Sequence, residues 1–214
     1  MRLNRWSLVA LLLGLLLVAP ATPIGPLFMG LSAAADPAVA RRDADAFKVK
    51  VSEITRRGGV APAEAGHART TVTESEVNGY LAMELGDELP EGVVSPTVTL
   101  LGQGRTSGQA VVDLDRVRQG MGATGALNPL RYLRGRLPVV ATGTIESRDG
   151  VARLQFESAT VSGVRVPKFV IQQIVGYYSR SARFPSGVSL DDPFTLPARI
   201  REIQVERGQA IVVQ

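Results

Sequence analysis

The sequence predicts an α+β fold, in which a curved antiparallel meander sheet packs on one long apolar helix and one shorter capped helix, after an N-terminal signal peptide. The sheet is predicted because apolar residues from Pro96 onward recur at every second position and glycine-containing turns separate these runs, a pattern typical of antiparallel hairpins. The helices are predicted because apolar residues recur at helical spacing before this region and again after Pro167. Since helical and strand segments are segregated along the chain, we expect the helices on one face of the sheet.

The first 35 residues are typical of a Sec-type export signal. Arg2 and Arg5 are followed by no charged residue until Asp36, and the most apolar run covers 8–19. Of two small-residue processing sites, the one at 33–35 is favoured, because cleavage there leaves no apolar stretch on the mature protein. We therefore expect cleavage before Asp36.

An uncleaved membrane anchor is the alternative for this segment, since residues 8–31 are long enough to span a bilayer. In both cases the N-terminal arginines hold that end of the chain in the cytoplasm, and residues 36–214 form a single exported domain. We expect a periplasmic or other extracytoplasmic location, with membrane association if the anchor is retained.

Composition excludes several classes of protein. The chain contains no cysteine, which excludes disulfides, thiolate metal sites, a cysteine nucleophile and lipid attachment through an N-terminal cysteine. The formal net charge is +4, and Arg2 and Arg5 supply two of these charges. Nucleic-acid binding requires a larger excess of basic residues.

The first elements of the exported domain are a helix, a short strand and a second helix. Asp36 and Pro37 form a cap and a first helical residue, and the glycines at 58 and 59 end this helix. The β-branched segment 69–73 suits a strand. The residues at 73–76, Thr-Glu-Ser-Glu, have the spacing of a capping box and begin a helix over 74–85. The apolar stripe of that helix consists of Val77, Tyr80, Leu81 and Leu85.

Antiparallel strands are predicted over most of residues 96–166. A first pair is separated by the glycine-rich turn 102–108, and a short helix is expected over 128–135. A second hairpin has its turn at 148–150, and its return strand continues to Val166. Along that strand the apolar positions change twice between even and odd numbers, which predicts bulges or bends and therefore a curved sheet.

The last elements are an apolar helix and a closing hairpin. Pro167 begins a helix that extends to about Ser181, and apolar residues cover most of its circumference. Such a helix is deeply covered or binds something apolar. The closing hairpin has strands over 200–205 and 210–213.

Catalytic groups are scarce in this sequence. Its one histidine, His67, lies in an alanine-rich loop, and the motifs G-x-S-x-G, S-x-x-K and H-E-x-x-H are absent. Asp113 and Asp115 share a face if they lie on a strand, and Asp191 and Asp192 are adjacent, but neither pair has the pattern of a calcium loop. Solvation of strand ends and loops is the favoured interpretation, so no enzyme, metal site or cofactor is predicted.

Two features favour a binding function. The first is the segment 116–136, which contains several arginines and no acidic residue. Its candidate head-group contacts are Arg131, Arg134 and Arg136. Arginine forks suit phosphate oxygens, and the alternative is a solvated connector. The second is the apolar helix 167–181 beside a curved sheet, which can leave a groove for acyl chains. The alternative for that helix is simple burial in the core.

The chain resembles small exported bacterial lipid-binding proteins with a tubular, bactericidal/permeability-increasing-like half-module. The resemblance lies in the strand 69–72, which continues into the capped helix and is followed by a curved meander. The stretch that carries the resemblance is Thr-x-Ser-Glu-x-Asn-x-Tyr-Leu over 73–81, and the pattern as a whole covers about 45–214. The resemblance implies that acyl chains lodge between helices and a strongly bent sheet, here along the helix 167–181. It implies no catalytic residues.

These features together predict a non-enzymatic cell-envelope protein that binds or carries a lipid or other amphiphile in a groove between helix and curved sheet. Contact with a membrane surface fits this function. The alternative is a periplasmic scaffold or adaptor with a packed core, which binds a protein partner through an exposed strand edge. The apolar contacts expected in the groove are Tyr80, Leu81, Phe169, Ile174 and Tyr178.

Overall fold

The computed structural model of the protein describes residues 36–59, 68–85, 89, 92–120, 132, 134–180 and 185–214. The predicted signal segment 1–35 lies outside these residues, so cleavage and export stay predictions. Within the described ranges, no helix is both long enough and apolar enough to cross a membrane.

Four helices and nine strands are present in the described part of the chain, which confirms the α+β class. The helices are α1 (Pro37–Gly58), α2 (Glu74–Met83), α3 (Leu114–Gly120) and α4 (Lys168–Tyr178). The strands are β1 (Arg69–Thr73), β2 (Val93–Gly102), β3 (Arg105–Asp113), β4 (Arg136–Arg148), β5 (Val151–Val161), β6 (Val164–Val166), β7 (Phe194–Thr195), β8 (Glu202–Glu206) and β9 (Gln209–Val213). Helix α3 was not predicted, and the helix expected over 128–135 lies mostly outside the described residues.

The predicted meander is the larger of two sheets. Its strands follow chain order, β2-β3-β4-β5-β6, each antiparallel to the next, and β7 adds to β5. The closing hairpin β8–β9 does not extend this meander. It pairs instead with β1 in a second, three-stranded sheet of order β1-β9-β8, in which Arg69 lies opposite Val213.

The small sheet closes one end of the large sheet. Backbone hydrogen bonds join β8 and its neighbouring residues to two hairpin turns of the meander, from Gly104 N to Val205 O at 3.1 Å and from Gly150 N to Arg201 O at 3.0 Å. The helices α2 and α4 pack on the large sheet, and their apolar residues join its inward face and α1 in one continuous core.

Two phase slips were predicted in β5, and they have different causes. Between Phe156 and Ser158 the register shifts, because Gly143 and Thr142 on β4 face those two residues and leave Glu157 as the extra residue of a bulge. The second slip is not a bend. It is a tight turn at Ser162 and Gly163, where φ is 50° and 78°, so the strand reverses into β6 rather than continuing to Val166.

The apolar helix is shorter than predicted, and the long helix is a different one. Helix α4 has 11 residues, whereas α1 has 22 residues and buries only one stripe that includes Phe47 and Ile54. Helix α4 ends early because the hydroxyl of Ser179 donates to Val175 O at 2.7 Å and accepts from Val188 N at 2.7 Å. The chain is thereby turned back along the helix.

Both predicted helix starts are confirmed. The Asp36 side chain accepts a hydrogen bond from Ala38 N at 2.9 Å, which caps α1. At α2, the Thr73 hydroxyl accepts from Glu76 N at 3.2 Å while the Glu76 carboxylate accepts from Thr73 N at 2.8 Å, a complete capping box. Glu76 also pairs with Lys50 of α1 at 2.7 Å, a long-range contact that the local pattern does not indicate.

Glu76 makes the stability of the protein dependent on acidity. Burial raises the pKa of this carboxyl, but the Lys50 ammonium and the Thr73 amide outweigh burial and lower the pKa below its ordinary value of 4.5. A lowered folded-state pKa adds stability above the unfolded pKa, and this stability is lost as the pH falls through the folded pKa. We expect Glu76→Gln to lose less stability than the parent protein on moving from pH 7 to about pH 3.5, as measured by urea unfolding. Glu146→Gln, at an exposed site on β4, is the control, and an equal loss in all three proteins contradicts the prediction.

Side chains cover the outer edges of two terminal strands. On β2, the amide of Asn78 accepts from Val98 N and donates to Val98 O, both at 2.7 Å. On β8, the hydroxyl of Ser147 accepts from Ile203 N at 2.7 Å and donates to Ile203 O at 3.1 Å. Each side chain takes the place of a neighbouring strand and leaves that stretch of edge closed to a second chain.

Candidate functional site

The predicted apolar contacts are divided between the core and the surface. Leu81 and Ile174 are 1% and 3% exposed and belong to the continuous core. The ring of Tyr80 packs against that of Phe47 with centroids 4.9 Å apart. An acyl chain therefore reaches these side chains only if α4 or α2 moves away from the sheet.

Helix α4 is apolar all round because it is covered on two sides. One side packs on the large sheet, and the other lies under the segment 186–190. That segment is fixed to Gln172, whose side chain donates to Val188 O at 2.9 Å and accepts from Leu190 N at 2.8 Å. Of the two interpretations offered for this helix, deep burial explains most of its apolar residues.

The two ends of α4 are more open than its middle. At the N-terminal end, Phe169 is 47% exposed. At the C-terminal end, the Tyr178 hydroxyl donates to Asp113 O at 3.3 Å. Asp113 lies directly opposite Arg136 in the sheet register, so Tyr178 and Arg136 lie at the same end of α4.

We call the residues around this point the arginine end. Arg134 and Arg136 are exposed there, and Arg131 lies outside the described residues. Arg116 pairs with Asp113 at 3.5 Å, and the guanidinium of Arg180 lies 5.7 Å from the centroid of the Tyr177 ring, within the range of a cation–π contact. The arginine end comprises Arg116, Arg134, Arg136, Arg180, Tyr177 and Tyr178.

An open cleft of about 710 Å³ lies at the arginine end. Its two acids hold backbone groups in place: Asp113 accepts from the amides of Asp115 and Arg116 at 3.1 and 3.2 Å, and Asp115 accepts from Gly135 N at 2.8 Å. Asp115 lies in the first turn of α3 rather than beside Asp113 on a strand. An aspartate just before a helix is a recognised cap, and that signal was available in the sequence. The cleft is lined by Asp113, Asp115, Arg116, Gln119 and Tyr177.

The two acidic pairs lie at opposite ends of α4. Lys168 at the start of the helix forms an ion pair with Asp191, whereas Asp113 meets Tyr178 at its end. An 11-residue helix is roughly 16 Å long, so these carboxylates do not share one cleft. His67 lies outside the described residues. Within the part of the chain that the structure describes, no group of three histidine or acidic side chains is placed to hold a metal ion.

A second open cleft, of about 620 Å³, lies where β8 meets the β4–β5 turn. Its walls are mixed, with Glu146, Arg148 and Glu202 beside Ile145 and Val205. No local pattern predicts this cleft, because it forms between strands that are far apart in the chain.

No protein-family model, curated protein or solved structure matches this chain. The resemblance to tubular lipid-binding proteins therefore stays a prediction, and the function must be argued from the geometry above.

Proposed function

We propose that this chain is a non-enzymatic cell-envelope protein that binds a lipid or another amphiphile. The observation that carries the proposal is that exposed Arg136, with Arg134 two residues before it, lies opposite Asp113, whose backbone carbonyl accepts from Tyr178 at one end of the apolar helix α4. Anion-binding groups thus lie next to the apolar interior, which is the arrangement an amphiphile requires.

The head group is assigned to the arginine end. Guanidinium groups bind phosphate oxygens through two parallel hydrogen bonds, and the aromatic rings of Tyr177 and Tyr178 provide amphipathic surface beside them. The apolar chain is assigned to the space beneath α4, next to Ile174. Since side chains of the continuous core fill the region beneath α4, uptake requires α4 and its covering segment 186–190 to move.

The filled core also favours a second candidate, a periplasmic adaptor that binds a protein partner. Asn78 and Ser147 cover the edges of β2 and β8, so the terminal strands left for a partner are β6 of the large sheet, with three residues, and β1 of the small sheet, with five. A short edge limits such pairing, which is why we place the lipid function first.

Native mass spectrometry of the full-length protein recovered from the cell envelope tests the proposal. We expect a complex with one lipid or amphiphile, which organic extraction then identifies. Arg134→Ser/Arg136→Ser should weaken the affinity by about 30-fold and lower the occupancy accordingly, since each of the two lost guanidinium contacts to a phosphate is worth on the order of 1 kcal/mol. Both side chains are exposed, so folding should be unaffected.

The matched control is Arg148→Ser/Arg153→Ser, which removes two exposed arginines at the opposite end of the large sheet. Its occupancy should equal that of the parent protein. A ligand-free mass, together with no uptake of fluorescent fatty acid or phospholipid, rejects the lipid function and leaves the adaptor in first place.

A further inference from the structure

The ends of three strands form one rim of the large sheet, at the opposite end from β8. Val139 of β4 lies opposite Val161 of β5, which lies opposite Val164 of β6. Ser162 N in the β5–β6 turn donates to Pro138 O at 2.8 Å. The start of β4, the β5–β6 turn and the start of β6 therefore share one edge of the molecule.

Two large apolar side chains are exposed at this rim. Val164 is 66% exposed and Phe169 is 47% exposed. They flank Pro167, where the chain passes from β6 into α4. Both side chains lie within six residues of each other, whereas the other exposed large apolar side chains of the described residues, Val39, Val49, Tyr132 and Val151, are separated along the chain. Such a pair indicates a contact surface.

Three exposed arginines lie at or near the starts of β4 and β6. Arg134 and Arg136 lie at the start of β4, and Arg165 lies beside Val164 on β6. Helix α4 connects the β6 side of the sheet with the end of β3. Its length of roughly 16 Å matches the distance of roughly 14 Å between β3 and β6. Phe169 lies near its start, and Tyr178 at its end lies next to Asp113. Lys168 and Asp191 balance each other as an ion pair.

We infer that this rim docks on the surface of a membrane that contains anionic phospholipid, an inference that rests on the proposed lipid function. Val164 and Phe169 enter the interface between head groups and acyl chains, and the arginines contact lipid phosphates. The occupant follows from charge complementarity, because basic side chains around a small apolar projection suit an anionic bilayer. The proposed head-group site at Arg134 and Arg136 then faces the membrane from which its lipid comes.

The absence of cysteine from the chain allows a site-specific test. Ser162→Cys and Asp149→Cys each place one thiol at an exposed tight turn, at opposite ends of β5, where φ is 50° and 51°. An environment-sensitive fluorophore on each thiol is mixed with vesicles of phosphatidylcholine alone or with phosphatidylglycerol added. We expect a blue shift and protection from an aqueous quencher for the label at 162 only, and only with anionic vesicles.

Rim variants then identify the contacts. In the Ser162→Cys protein, the triple substitution Arg134→Ser/Arg136→Ser/Arg165→Ser should weaken the affinity for anionic vesicles by about 100-fold. Added salt should also weaken the vesicle affinity of the protein that keeps these arginines. Phe169→Ser should weaken it by about tenfold. Val151→Ser, at an exposed apolar site at the other end of β5, should have no effect.

The outcomes separate this inference from the proposed function. Equal responses of the two labels, no response at 162, or a response that the rim variants do not change overturns the docking surface. If lipid copurifies but the fluorescence of the label at 162 does not change, the lipid function is supported and the docking surface is rejected. A response at 162 without copurified lipid supports the docking surface and rejects the internal lipid site.

Discussion

Replacing Asn78 by alanine is expected to lower the free energy of unfolding by about 2–4 kcal/mol, because two buried backbone groups lose their only side-chain partner at the edge of β2. Asn78 bonds both the amide and the carbonyl of Val98 at 2.7 Å. Leaving one such group unsatisfied costs about 1–3 kcal/mol. The free edge also becomes available to a second copy of the chain, so we expect concentration-dependent association as well.

Two further variants make this prediction specific. Asn78→Asp keeps an acceptor for Val98 N but places a carboxylate oxygen against Val98 O, where two acceptors repel, so its loss should be at least as large as that of the alanine variant. Ser75→Ala, on the exposed side of the same helix, should change stability by less than about 0.5 kcal/mol. Urea unfolding and light scattering measure both effects. A loss below about 0.5 kcal/mol in Asn78→Ala would show that the helix does not protect this edge.

The covered edges bear on both proposed functions. Asn78 is joined on β2 by Glu74, whose carboxylate accepts from Leu100 N at 2.7 Å, so one helix face supplies both caps. The covered stretch of β2 is protected against pairing with another chain. This leaves the rim and the arginine end as the surfaces at which the described part of the molecule is best suited to meet a partner.

Local signals in the sequence predict much of this fold. The cap at Asp36, the capping box at Thr73 and the turn at Asp149 each depend on residues within four positions of one another, and all three are present. The bulge at Glu157 is equally local, because an extra residue shifts which side chains of one strand face the core. Caps, turns and bulges of this kind can be predicted from the sequence without knowing which strands pair.

Pairing between strands that are distant in the chain cannot be predicted from local patterns. Nothing near Arg69 indicates that it pairs with Val213, so the second sheet was missed. The slip before Val164 was interpreted as a bend, although Ser-Gly at 162–163 also suits a two-residue turn. The buried position of Ile174 depends on the segment 186–190, whose hydrogen bonds to Gln172 have no local signature.

The candidate site shows the same division. Arg134, Arg136 and Tyr178 were named from composition and periodicity, and only the sheet register and one hydrogen bond place them together. The sequence did indicate the exposed Phe169 as a contact, but it assigned that side chain to an internal groove rather than to a rim. Composition identifies the chemistry that is available, whereas topology decides which groups meet.

At Gly79 the helices α1 and α2 are in close contact, and Gly79→Ala is expected to lower the free energy of unfolding by about 2 kcal/mol. A Cβ atom there would lie 2.7 Å from Ala40 O and 3.0 Å from Ala44 N. Both neighbours are backbone atoms of α1, so the helices must separate. That movement loosens the packing of Phe47 against Tyr80 and outweighs the better helix propensity of alanine.

The same substitution in α4 provides the matched control. At Gly176 a Cβ atom would lie 3.7 Å from Ser186 O, an ordinary contact, so Gly176→Ala should gain about 0.5–1 kcal/mol from helix propensity. Urea unfolding at neutral pH compares the two variants with the parent. If both gain stability, α1 and α2 are not in close contact at Gly79. If both lose stability, the segment over 186–190 packs on α4 more tightly than the structure indicates, and the opening of α4 that lipid uptake requires becomes harder to achieve.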